Sequence, residues 1–150
     1  MNYDQPTPKN IATCIHLSTF SRFIIPFGNF LGPIILWMTT KDKSEFIDAH
    51  GKQAINFQIS VFLYAVVLAA ITIPLVLFNA LGPVNLLDFT ELDGMNYNLL
   101  NFTPLLLSVF VIILIAVIGF ILELVFIVVA SLKARDGEFY KYPLTINFLK

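Results

Sequence analysis

Five polar side chains recur at helical intervals where an uncharged apolar run begins. His50, Gln53, Asn56, Ser60 and Tyr64, in and just after the stretch HGKQAINFQIS, are separated by 3, 3, 4 and 4 residues, which places them on one face of a helix. An imidazole, two amides and two hydroxyls so arranged either bond to an adjacent helix or line a path for an ion or small solute. Lipid is the neighbour they exclude, because an unpaired amide in hydrocarbon costs several kcal/mol. The contact-surface reading is the simpler of the two.

A carboxylate closes a second apolar run. Glu123 stands ten residues before Lys133, so it lies about 15 Å deep if that lysine marks the membrane interface. Carboxylates at such depth are rare and mark functional or ion-paired positions. Ala116, Gly119, Glu123, Ile127 and Ala130 share its helix face, and the small residues, Gly119 above all, let another helix approach and shelter the acid. Arg22 is the basic residue available inside an apolar segment. In a straight helix ending at Lys41 it would sit ~28 Å from that end, near the opposite surface; in a broken helix it can reach the depth of Glu123. The pair then locks the fold or relays a proton, and the lock is the simpler role.

Other chemistry is weaker. Cys14, His16 and His50 match no metal-ligand spacing and have no carboxylate-rich cluster beside them, so no metal or other cofactor is expected. Ser18 and Ser60 lack a nucleophile elbow, and no enzymatic activity is expected.

The elements that must position these groups belong to a membrane protein. Of the 150 residues, 57% are hydrophobic and 13% charged, against about 45–50% and about 25% in soluble domains. Val61–Phe78 and Pro104–Leu122 carry no charge and are long enough to cross a hydrocarbon core of roughly 30 Å. The fold class is therefore all-α, polytopic, with two secure spans. Residues 11–40 are long enough for a third, but Pro26, Gly28, Gly32 and Pro33 should bend or break it. A kinked span and a re-entrant hairpin both remain open; the clustering near the middle of the segment favours the hairpin.

Charge gives the orientation. No Lys or Arg occurs in 79–101, which carries Asp88, Glu91 and Asp93, whereas 41–52 holds Lys41, Lys43 and Lys52 and the stretch from Lys133 holds Lys133, Arg135, Lys141 and Lys150. By the positive-inside rule the acidic loop 79–101 faces outward, and the 133–150 tail lies on the cytoplasmic side. Residues 1–10 read as a flexible arm and 11–150 as a single membrane domain. Cys14 has no partner for an internal disulfide. Phe139, Tyr140 and Tyr142 among lysines suit the headgroup level, and the basic residues are too few and too interrupted for nucleic acid.

Several blocks together carry a resemblance: HLS at 16–18, IIPFGNFLGPIILW at 24–37, DAHGKQAINFQIS at 48–60, and the YPLTI motif at 142–146. The chain resembles a family of small bacterial membrane proteins of unknown function, which is similar to the twenty-kilodalton subunit of the chloroplast inner-envelope protein translocon. That resemblance implies a helical, pore-associated or assembly subunit of a bacterial cytoplasmic (inner) membrane and contributes no catalytic residue. The expectation is a noncatalytic integral membrane subunit of a larger assembly, linked to protein translocation or insertion. The alternative is a homo-oligomeric channel or carrier. Its partners are expected to be the lipid bilayer and either other membrane subunits or further copies of itself.

Overall fold

The computed structural model describes residues 6–81 and 99–150. The acidic loop expected at 79–101 lies outside the described residues except for its helical ends. All regular structure among the described residues is helical.

The first helix, α1 (Pro8–Leu17), starts inside the stretch expected to be a flexible arm. Thr7 caps it, its side chain accepting from the Asn10 N–H, and Pro8 fills a first-turn position that has no ladder bond to lose. A 3₁₀ turn, Ser18–Phe23, follows directly. Its hydroxyls turn back on the chain: Ser18 Oγ donates to the Ile15 carbonyl at 2.6 Å, Thr19 Oγ1 to that of His16 at 2.7 Å and Ser21 Oγ to that of Ser18 at 2.7 Å. Side chains that bond to their own backbone in this way bend helices.

The chain reverses at 24–27, where Phe27 takes the left-handed conformation with φ 59°, and α2 (Gly28–Thr40) runs back. The break thus falls beside Pro26 and Gly28. Gly32 and Pro33, expected to share in it, lie inside α2 instead. A Cβ at Gly28 would collide with the Ser21 backbone and one at Gly32 with the Ser18 carbonyl, so these glycines, one turn apart, serve close packing. Pro33 is buried and removes a single ladder bond without ending the helix. The N-terminal segment is a broken helical hairpin, with α1 and the 3₁₀ turn both touching α2.

A single turn at Lys41–Lys43 leads to α3 (Glu45–Leu81), whose start Ser44 caps by accepting from the Phe46 N–H at 3.2 Å. The last helix is α4 (Leu99–Asp136). Two long stretches within these helices, Glu45–Phe78 and Pro104–Asp136, are long and apolar enough to cross a membrane.

The chain divides into two compact units. One comprises the described residues up to Leu63 together with Ile121–Lys150. Its core has one cluster of Ile11, Ile15, Ile47 and Ala54 against Leu36 and Trp37, and another of Phe57, Ile127, Ala130 and Tyr142 against Phe20 and Phe126. Trp37 Nε1 also donates to Asp48 Oδ1 at 2.9 Å, tying α2 to the start of α3. The other unit, within Tyr64–Phe120, exposes Val67, Ile71, Phe78, Phe110 and Ile113. At roughly 25 cal/mol per Å² of apolar surface, such a face is costly in water and is at home in lipid.

Candidate functional site

The polar groups of the first unit converge on three arrangements. In the first, Arg22, brought in by the 3₁₀ turn, sets its Nη1 2.7 Å from Oε1 of Glu123 on α4. Glu123 is 5% exposed and Arg22 23%, so the carboxylate is the more deeply buried partner. The contact is coulombic: Oε1 accepts no hydrogen bond of normal geometry. A straight helix over 11–40 could not make this pair; the hairpin can.

The second is a buried row. Tyr142 Oη and His16 Nδ1 are 2.8 Å apart, and His16 Nε2 and His50 Nδ1 are also 2.8 Å apart. All three residues are at most 2% exposed. Tyr142 stacks on Phe57 with ring centroids 4.1 Å apart, while Phe139 stacks on His50. Burial holds the His16 imidazole neutral, lowering its pKa to about 3, and the neighbouring His50 adds to the effect. Burial also pushes the Tyr142 hydroxyl well above the usual tyrosine range, with Tyr140 and the Glu123 carboxylate acting in the same direction.

The third arrangement involves the segment after α4. Asn56 Oδ1 accepts from the backbone N–H groups of Phe148 at 3.1 Å and Leu149 at 2.8 Å, and Asn56 Nδ2 donates to the Leu149 carbonyl at 3.0 Å. One turn along, Ser60 Oγ accepts from the Ile146 N–H at 2.9 Å. An extended segment carries backbone groups that need partners, and α3 supplies them.

The polar stripe therefore does not act as one face. His50 belongs to the buried row, Asn56 and Ser60 hold the segment 146–149, and Gln53 is partly buried with Oε1 making no hydrogen bond. Tyr64 is exposed and belongs to the other unit. Gly119 also lies there, with nothing within 4 Å of where its Cβ would be, so the helix approach expected at that position is not made among the described residues. Cys14 is exposed. Among the described residues no three His, Cys, Asp or Glu side chains are grouped as metal ligands.

Sequence reasoning missed His16 as the partner of His50, Tyr142 as the partner of His16, and Gln58, which is buried and accepts from Asn29 Nδ2 at 2.9 Å. Tyr142 and His16 are 126 residues apart, and no periodicity connects them. Gln58 carried a signal, an amide in the middle of NFQIS, but it lies off the face chosen from the 3,3,4,4 spacing.

A family described as the magnetosome magnetite crystal formation protein family, MamF/MmsF, matches residues 7–149. The chain belongs to the MamF/MmsF family. The match spans the hairpin, both long helices and the segment holding Tyr142, so all three arrangements lie within the region that defines MamF/MmsF membership. It overturns the resemblance to the chloroplast translocon subunit and to a family of unknown function. Short apolar blocks punctuated by Gly and Pro are demanded by membrane helices in general, and they misdirected that resemblance. No curated protein and no solved structure matches the chain.

Proposed function

We propose that this chain is a noncatalytic integral protein of the magnetosome membrane that takes part in magnetite crystal formation. The observation that carries the reading is the family match over residues 7–149. The two apolar helices support a membrane setting. The internal use of its polar groups supports an assembly role: Asn56 and Ser60, on which a solute path would have rested, are bonded to the chain's own backbone. Lys41, Lys43 and Lys52 around the start of α3, with Lys133 and Arg135 in the last turn of α4, support a cytoplasmic orientation for the first unit under the positive-inside rule.

In a cell that makes magnetite, deletion of the gene should change crystal size or number in electron micrographs, and the intact gene should restore them. A tagged chain should sediment with isolated magnetosomes. Crystals unchanged by deletion, or a chain confined to other membranes, would refute the proposal.

A further inference from the structure

The hairpin of α1, the 3₁₀ turn and α2 leaves an apolar face outside the core of its unit. From Phe23 to Met38 the chain carries no charge. Ile24 is 84% exposed and Phe27 71%, and Leu31, Ile35 and Met38 continue an exposed stripe from Phe27 along α2 at spacings of 4, 4 and 3. The amide in this stretch, on Asn29, donates to buried Gln58. The turn itself is built to do without water. The N–H groups of Ile24 and Ile25 donate to the Ser21 carbonyl at 3.0 and 2.9 Å, and that of Gly28 donates to the Ile25 carbonyl at 2.9 Å. Pro26 has no N–H to satisfy, and Ser21 Oγ lies 2.6 Å from the Gly28 carbonyl oxygen. Irregular backbone at membrane depth persists where its polar groups are satisfied within the protein, and this turn meets that demand.

Three contacts set the depth of the turn. Lys9 Nζ donates to the Asp136 carbonyl at 3.2 Å, Thr13 Oγ1 lies 3.5 Å from that of Ser131, and Arg22 pairs with Glu123. The first number climbs as the second falls, so α1 and the 3₁₀ turn run antiparallel to the end of α4. Glu123 stands ten residues before Lys133, about 15 Å along the helix, which is half of a hydrocarbon core of roughly 30 Å. The apolar tip begins one residue beyond Arg22, at that level. The return helix α2 runs antiparallel to α3, through Asn29 with Gln58 and Trp37 with Asp48, and ends at Lys41–Lys43. Its 13 residues rise about 20 Å, enough to leave one leaflet and too few to cross two, which takes about 20 residues. Lysines mark both ends of the hairpin, Lys9 at its start and Lys41 and Lys43 at its finish, and suit the headgroup level.

We propose that the N-terminal hairpin is a re-entrant wedge that favours curved membrane. It enters one leaflet, seats residues 23–27 among the acyl-chain ends near the bilayer centre, and leaves through the same headgroup layer. Lipid hydrocarbon covers its exposed face. Two helices about 10 Å across add roughly 160 Å² of cross-section to that leaflet and none to the other. A leaflet with surplus area relaxes when it forms the outer, longer surface of a bend, so the wedge favours membrane with the hairpin's leaflet on the convex side. The inference rests on the membrane setting of the chain and not on its part in magnetite formation.

Two measurements on the full chain in phospholipid vesicles test it. Trp37 is the single tryptophan of the sequence, so Trp37→Phe with Phe27→Trp moves the fluorophore to the tip, where phospholipids brominated at different chain positions quench it. The tip indole should be quenched most by bromines near the chain ends, and Trp37 of the unaltered chain by bromines near the headgroups. A tip indole quenched most by shallow bromines would overturn re-entrance. One quenched by none would overturn it too, with protein, a second copy or another subunit, covering the tip in place of lipid.

Curvature is read in thin tubes pulled from giant vesicles. Cys14 is the single cysteine, so Cys14→Ser with Asp136→Cys sets the sole thiol just beyond Lys133, and an impermeant maleimide dye added outside marks the chains whose hairpin opens outward. Marked chains should be enriched in the tube relative to a lipid dye, a tube-to-vesicle ratio above one, and a ratio of one or less would overturn the wedge. Ile24→Asp with Ile25→Asp, added to that chain, should bring the ratio down to one or below, and a ratio unchanged by it would overturn the hairpin as the source. Depth and curvature are read in vesicles and crystal phenotype in cells, so either reading can fail without the other.

Discussion

Replacing Asn56 by Ala should release the segment after α4 while leaving both helices in place. The side chain makes three hydrogen bonds, two accepted from the Phe148 and Leu149 N–H groups and one donated to the Leu149 carbonyl. At about 1 kcal/mol net for each, the docked state loses about 3 kcal/mol, roughly a hundredfold in the ratio of docked to free segment. Ser60→Ala removes the single bond from Ile146, about 1 kcal/mol or roughly fivefold. Trypsin reads this ratio, because cleavage after Lys141 requires the adjoining Tyr142 to leave its buried site, and slow cleavage tracks the open population. In detergent, the cleavage rate should rise in the order wild type, Ser60→Ala, Asn56→Ala, with Gln53→Ala matching wild type. Equal rates for Asn56→Ala and wild type would show that the aromatic packing of Tyr142, and not the amide of Asn56, holds the segment.

Three further outcomes follow from the geometry. Glu123→Ala leaves Arg22 without its partner and should cost about 3 kcal/mol, the low end for a broken buried pair because Arg22 is partly exposed; Arg22→Met with Glu123→Leu should recover most of it in thermal unfolding. Gly32→Ala should cost about 1–3 kcal/mol through the collision with Ser18, whereas Gly119→Ala, facing open space, should be neutral or stabilise by up to about 1 kcal/mol, both read from denaturation midpoints. His16 has a pKa of about 3 in the folded chain, below its unfolded value of about 6.5, so the unfolded chain binds protons more readily between those limits. Stability is full above pH ~6.5 and falls by up to about 1.4 kcal/mol per unit as pH drops through that window; His16→Gln should flatten this slope, and an unchanged slope would exclude His16 as its source.

The sequence discloses the large-scale order and conceals the closure of the first unit. Val61–Phe78 and Pro104–Leu122 are legible because the bilayer dictates their length and composition. The break in 11–40 is legible from Pro26 and Gly28, but its extent is not: Gly32 and Pro33 sit inside α2 because close packing against Ser18, invisible in one dimension, calls for a small residue there. The proximity of Arg22 and Glu123 follows from the hairpin once the break is granted. The stripe from His50 to Tyr64 misleads because helical spacing reports a shared face and not a shared neighbour. His16, Asn56 and Ser60 meet residues 142–149, and such long-range pairing leaves no periodic trace.

The return of 142–149 to Asn56, Ser60 and His16 also constrains how the protein is made. Residues up to Leu63 and from Ile121 onward build one packed body, so if both apolar stretches cross a membrane the chain leaves it on the side from which it entered. A chain with one apolar stretch left uninserted would strand Tyr142 across the bilayer from His16, and Glu123 would lack Arg22. Closure of this body therefore acts as a checkpoint on topology: the N-terminal hairpin stays incomplete until both crossings are made, and a misthreaded chain presents to quality control an open hairpin with its core unfilled.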